Sequence, residues 1–320
     1  MSRYPFMAAV NSYLDDYFGV YAEGMYDELS RRYPKIHKQI LYLYENGQIS
    51  TTNPEFLTVD DVKAYTIYQR DRGLKNVSIS HDLSAIKNLC LYMNGNNCVD
   101  EARKKYPILF PKRKHILLPV LELPQYTLLT APLTGLSPAA EYLLIRAAAE
   151  TMLVFGAGLR TQELQHSKLR FLDHEFRFIY LDHVKGMDSY GQERIAPIRP
   201  EARPMLELWR SVRDSRSEYL FPNELGNPLS LNTLTKDRNR IIKLTGIKYD
   251  FRMGRRTYAQ YLIDEGIHPS EVAIALGHTS SKTTEQSYAR PRPDRVVRKI
   301  IDHWAPAALI ENEKEGFKYE

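Results

Sequence analysis

Between Ala139 and Phe155 the chain reads AAEYLLIRAAAETMLVF, a near-continuous apolar run that predicts a helix. A helix that is apolar on every side has to be enclosed by other elements, so the fold around it is built in layers about a buried rod. Gly156 and Gly158 are expected to stop it.

The 320 residues suit two domains, each large enough to bury its own core. With 43% hydrophobic and 26% charged residues the composition is that of a folded chain rather than a low-complexity one. The first 106 residues read as helices. Val10, Tyr13, Leu14, Tyr17 and Phe18 fall on one helical face. Thr58 with Asp61 forms a capping box for a second helix that Gly73 closes, and Ile79, Leu83, Ile86, Cys90 and Met93 stripe a third that Gly95 ends. Residues 107–120 read as an extended linker: Pro107 and Pro111 break helix, and Lys112, Arg113 and Lys114 form the densest basic run, either a solvated loop or a contact for phosphates. Residues 121–310 are expected to form an α+β domain, mostly helical, with one β-hairpin: Phe176, Phe178 and Tyr180 alternate with Arg177, Ile179 and Leu181, and the turn GMDSYGQ leads into ERIAPI. Residues 311–320 carry no apolar period and read as a disordered tail. The expected fold class is therefore mainly α with a small β-hairpin, in two domains.

Several classes of function are disfavoured. Two cysteines, Cys90 and Cys98, make no disulfide framework, and no grouping with metal-ligand spacing accompanies them, so no metal or cofactor is expected. The first residues lack the apolar run of a signal peptide and nowhere do 18 apolar residues follow one another; a cytoplasmic, nucleoid-associated protein is expected. The net charge of +5 favours a polyanionic partner, but weakly.

The chemistry-bearing residues are ordinary singly and distinctive in series. GAGLRTQEL sets Arg160 in a turn before a short helix that Thr161 could cap, with Glu163 three residues on. Lys185 follows at the hairpin tip, then Arg252 and Arg255 in DFRMGRRTYAQYL, His278 in ALGHTSSKTT, and Tyr288 in QSYAR. Breaking a phosphodiester without a metal needs a nucleophile, cations for the non-bridging oxygens and an acid for the leaving oxygen, and residues of these types can supply them.

In order and spacing this series resembles the tyrosine recombinases of the phage-integrase and Xer type, through GLRxxEL, xxxRRTYA and LGHxSxxTT. The stretch from Thr58 to Met93 is similar to the family's helical core-binding domain. The resemblance implies an N-terminal DNA-binding domain and a catalytic domain that grip a duplex. It also implies a site-specific recombinase that cleaves and rejoins DNA through a 3′-phosphotyrosyl link to Tyr288. It gives Arg160 and Arg255 the scissile phosphate, Glu163 the support of Arg160, Lys185 the leaving oxygen, and His278 the phosphate or the leaving group. Two positions depart from the family's pattern. Arg252 stands where the first histidine of His-x-x-Arg is usual, and a guanidinium cannot accept a proton near neutral pH. Tyr288 is the tenth residue after His278, and the usual ninth is Ser287. A catalytically silent DNA-binding descendant and a type IB topoisomerase-like activity are the alternatives. A two-metal nuclease would need a carboxylate cluster that the series does not contain.

For DNA contact the sequence offers Lys75, Asn76, His81 and Lys87 in the first domain. In the second, Lys236 and Arg240 share a helix face opposite Ile241 and Leu244, suited to phosphates or to solvent alike. Val296, Val297, Ile300, Ile301 and Trp304 form an apolar stripe after the nucleophile, which in the family packs on a neighbouring protomer; a tetramer on DNA is the implied assembly, and packing within the chain is the other reading.

Overall fold

The buried rod predicted from the sequence is the centre of the second half of the molecule, in a computed structural model that describes residues 4–21, 23–110, 118–182, 193–213 and 216–278. The chain divides into two compact units at His115 and Ile116.

The first unit is helical: α1 (Pro5–Asp16), α2 (Glu23–Glu45), α3 (Val59–Asp71), α4 (Asn76–Asn94) and α5 (Cys98–Lys105). Its core is formed where one stripe of each helix meets the others, with Phe6, Val10 and Tyr13 of α1, Tyr33, Ile36, Ile40 and Leu43 of α2, and Ile79, Leu83, Ile86 and Cys90 of α4. The Thr58/Asp61 capping box is present, and Gly95 caps α4 in the left-handed conformation at φ +75°. α1 is shorter than its periodicity suggested. It ends at Asp16, and Phe18 lies in the following turn with 73% of its surface exposed. The sequence reading did not anticipate α2, which carries Pro34 in its interior.

The second unit contains α6 (Leu123–Thr134), α7 (Tyr142–Ala157), α8 (Thr161–Gln165), β1 (Phe178–Leu181), β2 (Arg194–Pro197), α9 (Arg203–Val212), α10 (Leu231–Thr245), α11 (Phe251–Asp264) and α12 (Pro269–Leu276). α7 is buried from Ile145 to Ala157 and packs against α9, α10 and α11. The strands pair antiparallel, Ile179 opposite Ala196 and Leu181 opposite Arg194, and these four residues are buried. Phe176 lies ahead of β1 at φ +55°, outside the alternation assigned to it.

α7 departs from expectation in two respects. Gly156 does not stop the helix; it lies inside it, and Gly158 is the left-handed cap at φ +65°. A Cβ on Gly156 would sit 2.6 Å from the Cβ of Ala202, so the glycine lets the turn before α9 lie directly on the rod. The rod is also not wholly apolar. Arg146 and Glu150 are buried in it; Arg146 Nη2 reaches Asp237 Oδ2 of α10 at 2.7 Å, and Arg240 Nη1 reaches Asp237 Oδ1 at 2.6 Å. Burial first, and then the charge of Asp237, push the Glu150 carboxyl well above its ordinary range. The core face of α10 is therefore Leu234, Asp237 and Ile241, while Leu244, expected on that face, is 46% exposed.

The ends of the expected linker are packed. Phe110 is buried in the first core, whereas Pro119 and Leu121 bond into the second unit, Arg256 Nε donating to the Pro119 carbonyl at 2.9 Å and the Leu121 N–H to Thr257 Oγ1 at 2.9 Å. Lys112, Arg113 and Lys114 lie outside the described residues.

Gly156→Ala tests the close approach. Alanine gains about 1 kcal/mol of helix propensity over glycine, but overpacking against a fixed methyl costs about 1–3 kcal/mol. The expected result is a net loss of stability, read as a lower urea midpoint with an unchanged slope; a gain would show that the turn before α9 yields freely.

Candidate active site

The site is built where three segments distant in sequence meet. Gly158 ends α7 and turns the chain into Arg160, which is the N-cap of α8; Thr161, expected to cap, is instead its first residue. Glu163 lies one turn into α8 with its side chain fully buried, and folds back to accept the Arg160 backbone N–H at 2.7 Å and Arg160 Nη1 at 2.6 Å. α11 is capped by Asp250, whose carboxylate accepts the Met253 N–H at 2.6 Å, and crosses α7 closely enough that a Cβ on Gly254 would meet Val154 Cγ1 at 2.7 Å. That crossing delivers Arg255, which is 4% exposed, to the end of α7. The third segment is α12, capped by Gly277 at φ +64°; the His278 N–H closes the cap on the Ala273 carbonyl at 2.9 Å, which leaves the imidazole to turn inward.

The guanidiniums are aimed by carbonyls at the ends of the two helices. Arg255 Nη1 donates to Gly158 O at 2.7 Å and Nη2 to Leu276 O at 2.5 Å, and Arg160 Nη2 donates to Gly277 O at 2.9 Å. Arg255 Nη2 also faces His278 Nε2 at 3.1 Å. Because a guanidinium can only donate, Nε2 is the acceptor and the imidazole proton sits on Nδ1. Burial first, then the charges of Arg255, Arg160 and Arg194, hold the His278 pKa down to about 3, against the opposing pull of Glu163.

Arg194, the first residue of β2, is a member of this cluster that the sequence reading missed. It is buried, its Nη2 donates to Glu163 Oε2 at 2.9 Å, and its Nη1 donates to the Ala275 carbonyl in the last turn of α12. Its aliphatic chain passes under Gly277, where a Cβ would lie 2.7 Å from Arg194 Cδ. A signal was available: in RIAPI, Arg194 is in phase with Ala196 and Ile198, the inward positions of the strand.

Thus Arg160, Glu163, Arg255 and His278 come together, with Arg194 added. Arg252 is exposed one turn before Arg255 on α11. Lys185, Ser287, Tyr288 and the stripe from Val296 to Trp304 lie outside the described residues. Among the suggested DNA contacts Lys75, Asn76, His81 and Lys236 are exposed. Lys87 is bound to Asp100 at 2.5 Å, and Arg240 to Asp237.

Three guanidiniums thus face one carboxylate and a neutral imidazole, an excess of two positive charges in a largely dehydrated corner. Such a corner is a receptor for an anion with several oxygens. Among the described residues there is no group of three His, Cys, Asp or Glu able to hold a metal ion, and no helix long and apolar enough to cross a membrane.

The model of the phage integrase family matches residues 128–295, more than half of the chain and the whole of this cluster. The chain belongs to the phage integrase family. Phage integrase relatives include the tyrosine recombinase XerC of Staphylococcus carnosus, 24% identical over 233 residues that span 70% of this chain and 74% of that protein. The XerC-like tyrosine recombinase of Caldanaerobacter subterraneus subsp. tengcongensis is 27% identical over 188 residues. That match spans 48% of each chain, so this chain covers about half the length of that relative. Among solved phage integrase folds, the Tn1549 transposon integrase in complex with transposon right end DNA superposes with a TM-score of 0.68 at 15% identity, covering 93% of this chain and 99% of that one. A lambda integrase dimer bound to a core site gives 0.64 at 15% identity, covering 98% and 79%.

Two titrations check the site. Burial opposes the charge on Glu163, but the guanidiniums of Arg194, Arg255 and Arg160 and the Arg160 backbone N–H outweigh it and lower its pKa. A carboxyl lowered in the fold stabilises it above the unfolded value and gives that stabilisation up as pH falls through the folded one. Glu163→Gln should therefore lower thermal stability at pH 7 by about 3–5 kcal/mol, the cost of stripping one partner from a buried ion pair, and flatten the loss of Tm below about pH 4.3. The His278 ring resonances should stay flat from about pH 8 to pH 5, where an unperturbed imidazole titrates; a midpoint near neutrality would mean that Arg255 does not face it.

Proposed function

We propose that the protein is a site-specific DNA recombinase that cleaves one strand through Tyr288 and rejoins it to a new partner. The observation that carries this reading is the convergence of Arg160, Arg255 and His278 on one corner, the two arginines aimed by helix-terminal carbonyls and His278 Nε2 set against Arg255 Nη2. A phosphodiester brings one negative charge and two non-bridging oxygens, and this corner has positive charge in excess and forked donors to receive them. As the phosphorus becomes five-coordinate, charge builds on those oxygens, and donors already held in place stabilise it without reorganisation.

In this reading Tyr288 releases its phenolic proton to solvent as Oη attacks phosphorus, and the 5′ oxygen departs with a proton from Lys185, leaving a 3′-phosphotyrosyl ester whose energy serves the rejoining step. His278, with its proton on Nδ1, donates as a neutral group. Arg252, exposed one turn from Arg255, adds charge at the mouth of the site and cannot be the base for Tyr288. In this reading Lys75, Asn76 and His81 of the helical unit and Lys236 of α10, all exposed, contact the duplex, and Lys112, Arg113 and Lys114 are further candidates for phosphate contact. Binding of this kind weakens steeply with salt. The lambda integrase structure holds a dimer on its core site; for this chain we propose assembly on double-stranded DNA as a tetramer at synapsis, through the stripe from Val296 to Trp304.

The test is a nicked suicide duplex of cognate flanking DNA, incubated with the protein in chelator. Wild type and Ser287→Ala should trap an adduct that survives SDS, and Tyr288→Phe should not. An adduct with Tyr288→Phe would assign the nucleophile elsewhere. A wild type that binds the site with nanomolar affinity and never forms the adduct would make this chain a DNA-binding protein without the chemistry.

A further inference from the structure

Glu163 Oε2 receives two donors, the Arg160 backbone N–H at 2.7 Å and Arg194 Nη2 at 2.9 Å, and faces Arg255 Nη1, which stands off at 3.6 Å. The carboxylate therefore has a filled coordination shell on the strand side and a long, unclosed contact on the α11 side. Arg194 enters from the first position of β2, opposite Leu181, and its second donor is fixed on the Ala275 carbonyl. One planar fork thus spans α8, β2 and α12, and its stem lies against Gly277, where only hydrogen leaves room.

We propose that Arg194 is a positioning residue: by occupying Glu163 from the strand side it keeps Arg255 from closing onto that carboxylate, and so leaves the Arg255 fork aimed past Gly158 and Leu276 at the scissile phosphate. The inference rests on the DNA-cleaving reading and deepens it. Without Arg194 the buried Glu163 loses a charge-assisted partner, and the nearest cation able to replace it is Arg255, less than 1 Å beyond contact distance, given that such bonds run at about 2.7–2.9 Å. Closing that gap pulls Arg255 off the helix-terminal carbonyls and away from His278. Because Arg194 opens β2, the same fork ties the register of that strand to the placement of the arginines.

The experiment compares wild type, Arg194→Met and Arg194→Lys. In crystals of Arg194→Met the contact between Arg255 Nη1 and Glu163 Oε2 should shorten to about 3 Å or less; an unmoved Arg255 overturns the proposal, and this arm needs no cleavage. On the nicked duplex Arg194→Met should bind DNA within about threefold of wild type and cleave about 100-fold more slowly, the scale of one lost charge-stabilising donor. On a duplex with an uncharged methylphosphonate at the scissile position the deficit should shrink to below about tenfold, since less charge then needs the displaced fork. An equal deficit on both duplexes, following a lower Tm, would make Arg194 merely structural. Arg194→Lys, which can hold Glu163 as a point charge without bridging to Ala275, should recover part of the rate and restore the Arg255 gap; a variant as slow as Arg194→Met with Glu163 still paired overturns it. Absence of any wild-type adduct would remove the recombinase reading, while the crystallographic arm decides the role of Arg194 separately.

Discussion

A carboxylate with no exposed side-chain surface, bonded to two guanidiniums and facing a third, is the constraint around which the second unit is arranged. Glu163 could not be charged there alone, and the three arginines could not crowd together without it. Each is tolerable because the others are present. The remaining N–H groups find the carbonyls that α7 and α12 leave without helical partners: Gly158 O, Ala275 O, Leu276 O and Gly277 O all accept from arginine. The negative ends of two helices thus hold cations in place, and the same contacts that satisfy the helix termini fix the direction of the forks.

The rod through the second unit provides the rigidity this needs. α7 brings Gly158 to the site from a core in which Leu153, Val154 and Phe155 are fully enclosed, and Gly156 and Gly254 admit the turn before α9 and α11 to near contact. Its one polar stretch is answered from α10, Asp237 taking Arg146 and Arg240 together. A residue that looked like a hand for phosphate, Arg240, is instead engaged in closing the core.

What could be read in advance followed local rules. The capping box at Thr58, the glycine cap at Gly95, the hairpin strands and the rod itself are governed by a few neighbouring residues, and Arg160, Arg255 and His278 stood out because their motifs keep fixed spacing. α2 was hidden because Pro34 interrupts a helical stripe that Tyr33, Ile36, Ile40 and Leu43 otherwise display. Phe18 and Leu244 were assigned to buried faces because periodicity does not say where a helix ends or how wide its core face is. Arg194 was hidden for a different reason: an arginine on a short strand looks solvated until a buried carboxylate more than thirty residues earlier is known to face it.

The chain separations within the site bear on when it can exist. Arg160 leans on Gly277, and Arg255 on Gly158 and Leu276, contacts that bridge 117, 97 and 21 residues. A chain that stops after α11 keeps Glu163 and Gly158 but lacks Ala275 O, Leu276 O and Gly277 O, and with them one of the carbonyls that aim each of Arg194, Arg255 and Arg160. The helical unit closes its own core without any of these residues. The first core can thus close before the arginine cluster is complete, because the last carbonyls the cluster leans on arrive only with α12.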